Sequence, residues 1–271
     1  MEKLDYTHSE ITSFPDGLTS LIRKALSHIG AVESKYTSDD GSGNPLSDKI
    51  LFKFPGTPLR YHYVLWQNIN SATGRLHFYS YRPTADEFSG SNSFDSPDTT
   101  KLADGSSKDG TDLAYNSYIQ PELTKDDVYI AVGPSTFFIT TKNSSNKLLI
   151  YELQDSNIVI KYSVNPNYTY HEFGTPSNDY GSYMQILGLT EYDHFSSYPV
   201  HTQDGSIPVF PAYCYTYNNI YMMFSIPSFF VSTKDVSCLT DYPVTYSGET
   251  FTLFGANYRD GFLGFAKGNE F

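Results

Sequence analysis

From residue 49 onward the apolar side chains of this chain recur at every second position, in runs too short for helices and bounded by Gly, Pro, Asn and Ser. A period of two places alternate side chains on opposite faces of an extended backbone, so these runs predict strands. Residues 49–54 (KILFKF), 60–67 (RYHYVLWQ) and 74–81 (GRLHFYSY) make a first group, with 68–73 short enough for a hairpin. Residues 127–132 (DVYIAV), 136–141 (TFFITT), 147–153 (KLLIYEL) and 157–162 (NIVIKY) make a second. Their linkers, 133–135, 143–146 and 154–156, are all of hairpin size, which predicts a four-strand meander. Strand patterns return at 184–189, 207–217, 220–226 and 250–254, with Asn218-Asn219 suited to a tight turn because Asn tolerates positive φ.

One stretch has the other period. Leu18, Leu21, Ile22, Ala25, Leu26 and Ile29 form a single apolar stripe at helical spacing. Ser13 with Asp16 resembles a capping box, Pro15 suits a first turn, and Gly30 suits a left-handed C-terminal cap. The spacing therefore predicts an amphipathic helix over about residues 17–30, whose stripe needs a partner, either the chain's own sheet or another subunit. Between the ordered patterns lie 38–44 (SDDGSGN), the Ser/Asp/Gly-rich excursion 85–113, and 163–183, where Pro, Asn, Gly and Tyr interleave. The last reads as a long loop or a sub-domain joint. The fold class expected is mainly β (α+β): one domain over 1–271, antiparallel meander sheets as a sandwich or barrel, and one short N-terminal amphipathic helix.

Composition narrows the function classes. Eighteen basic against 30 acidic residues give a net charge of −12, which argues against nucleic acid or an anionic membrane as partner. No apolar run is long enough to span a bilayer, and the first ten residues mix both charges without a secretory leader's apolar run. Cys214 and Cys238 cannot form a disulfide framework and read as two reduced thiols. Aromatics reach 16%, with 24 Tyr and 19 Phe against one Trp, while charged residues are only 18%.

No motif assigns a catalytic, cofactor or metal site. His62 and His77 fall in adjacent predicted strands, where a pair on one face could seed a metal site or pH switch; packing among neighbouring rings is the simpler expectation. Asp104, Asp109 and Asp112 lack the spacing and closing Glu of a calcium loop, and Asp39-Asp40 reads as solvated. G-x-S-x-G, the P-loop and the dinucleotide fingerprint are absent. Cys214 lies in a strand pattern, and the acids Glu172, Asp179, Glu191 and Asp193 are no more than any acidic chain offers. The sequons at Asn143 and Asn167 read as chance matches. Tyrosine is the more telling residue: a large apolar face with a polar tip suits interfaces and sugar-stacking surfaces. Tyr213, Tyr215, Tyr217 and Tyr221 form one cluster, and Tyr168, Tyr170, Tyr180 and Tyr183 another.

The short helix GLTSLIRKALSHIG, followed by meandering strands rich in Tyr, Ser, Thr and Asn with long Gly/Asp/Ser excursions, resembles the virion structural proteins of tailed bacteriophages, of tail, neck or baseplate type. The resemblance covers most of the chain in style and carries over no functional residue. It implies a non-enzymatic subunit assembled in the host cytoplasm into the virion, a homo-oligomeric ring touching other virion proteins, with no cofactor. Leu18, Leu21, Ile22, Leu26, Phe88, Phe94, Tyr215 and Tyr217 are the expected interface residues. The alternative expectation is a carbohydrate- or receptor-binding module using tyrosine-rich surfaces.

Overall fold

The apolar stripe forms the helix it predicts, α1 (Asp16–His28), preceded by a strand, β1 (Leu4–Ile11). Its start departs from the expected capping box. Pro15 occupies the N-cap without a side-chain cap, and Ser13 offers its main-chain carbonyl, not its hydroxyl, to the Gly17 N–H. Its end follows the sequence: Gly30 takes φ +69°, the Gly30 N–H bonds Ser27 O and the Ala31 N–H bonds Leu26 O, both at 3.0 Å. These paired bonds are those of a Schellman cap.

The computed structural model describes residues 2–33, 49–56, 61–70, 73–81, 118–142, 147–152, 159–165, 168–174, 184–186, 209–216, 222–232, 241–246, 248–258 and 261–271. After α1 come β2 (Val32–Glu33), β3 (Lys49–Lys53), β4 (Tyr61–Asn70), β5 (Thr73–Tyr81) and β6 (Tyr118–Ile119), which pair in that order as a five-stranded sheet. The remaining strands are β7 (Asp126–Gly133), β8 (Thr136–Thr141), β9 (Lys147–Glu152), β10 (Val159–Asn165), β11 (Tyr168–Gly174), β12 (Met184–Ile186), β13 (Val209–Thr216), β14 (Met222–Ser232), β15 (Asp241–Tyr246), β16 (Glu249–Tyr258) and β17 (Gly261–Glu270). With β1 they form a second, twelve-stranded sheet ordered β11-β10-β9-β8-β7-β1-β17-β14-β13-β12, with β15 and β16 branching from β17. Only β1–β17 is parallel among the described pairings; the rest are antiparallel, as the short linkers require.

The large sheet curls. β8 and β14 are four ladder steps apart, about 19 Å on a flat sheet, yet the Phe138 and Phe229 ring centroids lie 5.4 Å apart. Phe265 joins them, 5.8 Å from Phe138, so the face carrying Phe138 is concave. The ladder's two ends, β11 and β12, come within 8 Å of each other. Against the convex face pack α1 and the small sheet. There Leu18, Ile22, Leu26, Phe52, Val64, Phe78, Ile130, Phe137 and Ile150 share one buried cluster. β8 and β9 are thus covered on both sides and buried at every position, which explains runs such as TFFITT and KLLIYE.

Several expectations change. Leu18, Leu21, Ile22 and Leu26, expected at a subunit interface, are buried beneath the chain's own strands. Residues 163–174 are not the start of a long loop: 163–165 extend β10, and 168–174 form β11, which pairs back on it from Asn165↔Tyr168 onward. The Pro166-Asn167 turn signal hid the alternating Tyr, Thr and Phe that follow. The sequence reading also missed β1, whose polar LDYTHSEI buries few residues, and the glycine-rich β17. Phe88, Phe94, Tyr217, Asp39, Asp40, Cys238 and the Asp104–Asp112 loop lie outside the described residues.

β14 carries a bulge. Pro211 pairs with Phe230 but Tyr213 with Ser225, so residues 226–229 oppose Ala212 alone. The bulge turns Phe229 into the concave cluster and holds Ser228 at φ +69°, buried, with its Oγ unbonded. A side chain disfavours this left-handed conformation by about 1–2 kcal/mol, and glycine does not. Ser228→Gly is expected to stabilise the protein by about 1 kcal/mol in urea denaturation; a loss of stability would contradict the strain.

Candidate functional site

Among the described residues, polar side chains gather at three places on this scaffold. The first is the seam between the sheets. His62, on β4, points into the convex-face core, fully buried, its ring 5.2 Å from that of Phe52 and 4.9 Å from that of Phe54. Its Nε2 donates to Glu152 Oε1 at 2.5 Å, and Glu152 is itself only 2% exposed. The Glu152 N–H bonds Ser135 O at 2.9 Å, which brings the β7–β8 turn to the same spot. Gly56 closes the spot from the small sheet: its N–H bonds Pro134 O, and a Cβ there would lie 2.6 Å from Ser135 Oγ. Ser, His and Glu are residue types of acyl-transfer chemistry. Here Ser135 Oγ makes no direct hydrogen bond to His62 or Glu152, and all three residues are buried. The geometry is that of a polar joint between two sheets.

The sequence places His62 among rings, and so it is, but its carboxylate partner was not legible. Glu152 comes from 90 residues away. His62 and His77 do not form a pair. The register sets His62 opposite Ser80 and His77 opposite Leu65, positions on opposite faces of the sheet. Among the described residues no three His, Cys, Asp or Glu side chains converge as metal ligands would.

The second place is the concave face of β1 and β7. His8 pairs across the ladder with Tyr129, Tyr129 with Thr140 and Thr140 with Lys147. Exposure falls along this row from exposed His8 to fully buried Thr140 and Lys147. His8 and Tyr129 stack at 3.9 Å, and Lys267 sits 4.4 Å over the Tyr6 ring. Beside them Asp127 meets His8 at 3.6 Å and Lys142 at 3.7 Å, while Glu10 binds Lys125 at 2.6 Å. The result is a solvent-facing ladder of aromatic rings and ion pairs on a rigid sheet.

The third is a clasp over α1. The Phe271 N–H bonds Tyr6 O at 3.0 Å, Lys24 Nζ donates to Phe271 O at 2.8 Å, and the Phe271 ring stacks on His28 at 3.9 Å. His28 donates to Asp5 Oδ2 and the Asn269 N–H to Asp5 Oδ1, each at 2.8 Å. Partial burial pushes the Asp5 carboxyl up. The hydrogen bonds from His28 and Asn269, with the charge of His28, outweigh it and hold the group below its usual range.

No protein-family model, curated protein or solved structure matches the chain.

Two predictions follow from this geometry. Removing one partner of a buried hydrogen-bonded pair leaves the other unsatisfied, at about 1–3 kcal/mol or more, whereas apolar replacement of both is close to neutral. His62→Leu alone is therefore expected to destabilise by that amount, and His62→Leu with Glu152→Leu to recover most of it, read as a double-mutant cycle in urea. For Asp5, a folded-state pKa below the unfolded value gives stability that is complete above about pH 4. That stability is lost as pH falls through the folded value. Asp5→Asn is expected to cost about 0.5–1 kcal/mol at pH 7, allowing for solvent screening, and nothing at the acid end of the titration.

Proposed function

We propose that this protein is a non-enzymatic structural subunit of a virion of the tailed-bacteriophage kind, acting through contacts with other virion proteins and with copies of itself. What carries the reading is the concave ladder of Tyr6, His8, Glu10, Asp127, Tyr129 and Lys267. Aromatic rings held by cross-strand stacks present a large contact area with little rotamer entropy left to lose, the chemistry enriched at protein interfaces. Few charges, many tyrosines and a net −12 across the chain fit the same role. This reading moves the contact surface from the helix stripe, which the chain buries itself, to the sheet. Tyr215, on β13, remains a candidate contact residue on the same sheet.

The test is the solution mass of the recombinant chain together with its presence in purified particles. The expected results are an oligomer larger than 30.5 kDa, recovery of the chain from particles, and dissociation of that oligomer by Tyr129→Ala. A monomer absent from particles would overturn the proposal. So would glycan binding that survives high salt and is lost in Tyr129→Ala, which would establish the carbohydrate-binding alternative.

A further inference from the structure

We infer that the seam between the two sheets binds one water molecule, held between Ser135 Oγ and Glu152 Oε2. Both atoms are buried and neither has a hydrogen-bond partner, although Glu152 bonds His62 through its other oxygen, Oε1. Unpaired polar oxygens in a packed interior are costly, and where they persist an ordered water commonly satisfies them. The two residues face each other, since the Glu152 N–H to Ser135 O bond extends the β8–β9 pairing by one step. Residues so opposed carry Cβ atoms about 4.5–5.5 Å apart on one face.

A direct bond between the two side chains is not formed, and the anchoring of Glu152 accounts for this. Oε1 is held by His62, so the carboxylate cannot swing Oε2 onto the hydroxyl without surrendering that bond. Above Ser135 Oγ lies the bare backbone of Gly56, where a Cβ would come too close. The rings of Phe52 and Phe54 flank the imidazole.

The chemistry of the two ends fixes the ligand class. A carboxylate oxygen only accepts, and the serine hydroxyl has a hydrogen to give. The guest must accept from one and donate to the other with a single atom, as water does. A metal ion would want more anionic ligands than this seam supplies. The consequence is a buried relay, Ser135–water–Glu152–His62, that ties the β7–β8 turn of the large sheet to β4 of the small one.

The experiment pairs a high-resolution crystal structure of the full chain with water-to-amide cross-relaxation on the ¹⁵N-labelled protein. The expected result is a density peak in hydrogen-bond contact with both oxygens and a persistent water signal at the Ser135 and Gly56 amides. Ser135→Ala should abolish that signal and lower Tm by about 2–4 °C. A direct Ser135 Oγ–Glu152 Oε2 bond with no density between, or a water signal unchanged in Ser135→Ala, would overturn the inference.

Discussion

The meeting of Phe138, Phe229 and Phe265 sets the shape of the molecule, because it joins strands that the ladder alone would keep far apart. Three rings cannot be buried together unless the sheet bends around them, and bending gives it a concave and a convex side. The cross-strand pairs show how the bend is accommodated. Ala131 sits directly opposite Phe138, a small residue beside a large one, and the missing Cβ of Gly133 leaves room for Leu4. With the concave side filled by these rings, Val128, Ile130, Val132, Phe137 and Ile139 of the same strands are free to build the opposite core with α1 and the small sheet. β8 and β9 thereby lose solvent on both faces, and apolar packing does most of the stabilising there.

Inside that apolar volume the His62–Glu152 pair does a different job. Apolar contacts between two sheets are permissive about sliding, since one aliphatic neighbour substitutes well for another. A short directional bond between two fixed side chains is not. The pair sets where β4 lies relative to the end of β9, and the Gly56 N–H to Pro134 O bond repeats the constraint one turn away. Over α1 the Asp5–His28–Phe271 clasp fixes the end of β17 against the helix in the same directional way. Polar bonds thus mark the places where elements distant in sequence must meet in register.

The surface that remains is distinctive in what it displays. The helix stripe is covered, and the buried histidine is committed to a glutamate. What faces solvent on β1 and β7 is a set of rings and charges already paired with one another, so little further ordering is needed when a partner arrives. That preorganisation is why the sheet face, and not the helix, carries the functional proposal.

How much of this was legible beforehand depends on the range of the interaction involved. The sequence by itself determined α1 and its glycine cap, the β7-β8-β9-β10 meander and the mainly β character, because periodicity, hairpin-length linkers and the left-handed preference of Gly30 act over a few residues. It concealed β1, since LDYTHSEI keeps its place by main-chain bonds to neighbours on both sides more than by apolar side chains. It concealed β11 behind Pro166-Asn167 and β17 among glycines. Tertiary structure alone decided that the helix stripe faces inward, that His62 and His77 part company, that Glu152 meets His62, and that the large sheet curls. Each of these joins residues tens to hundreds of positions apart, and a pattern with a period of two or 3.6 residues holds no information about which distant face will cover it.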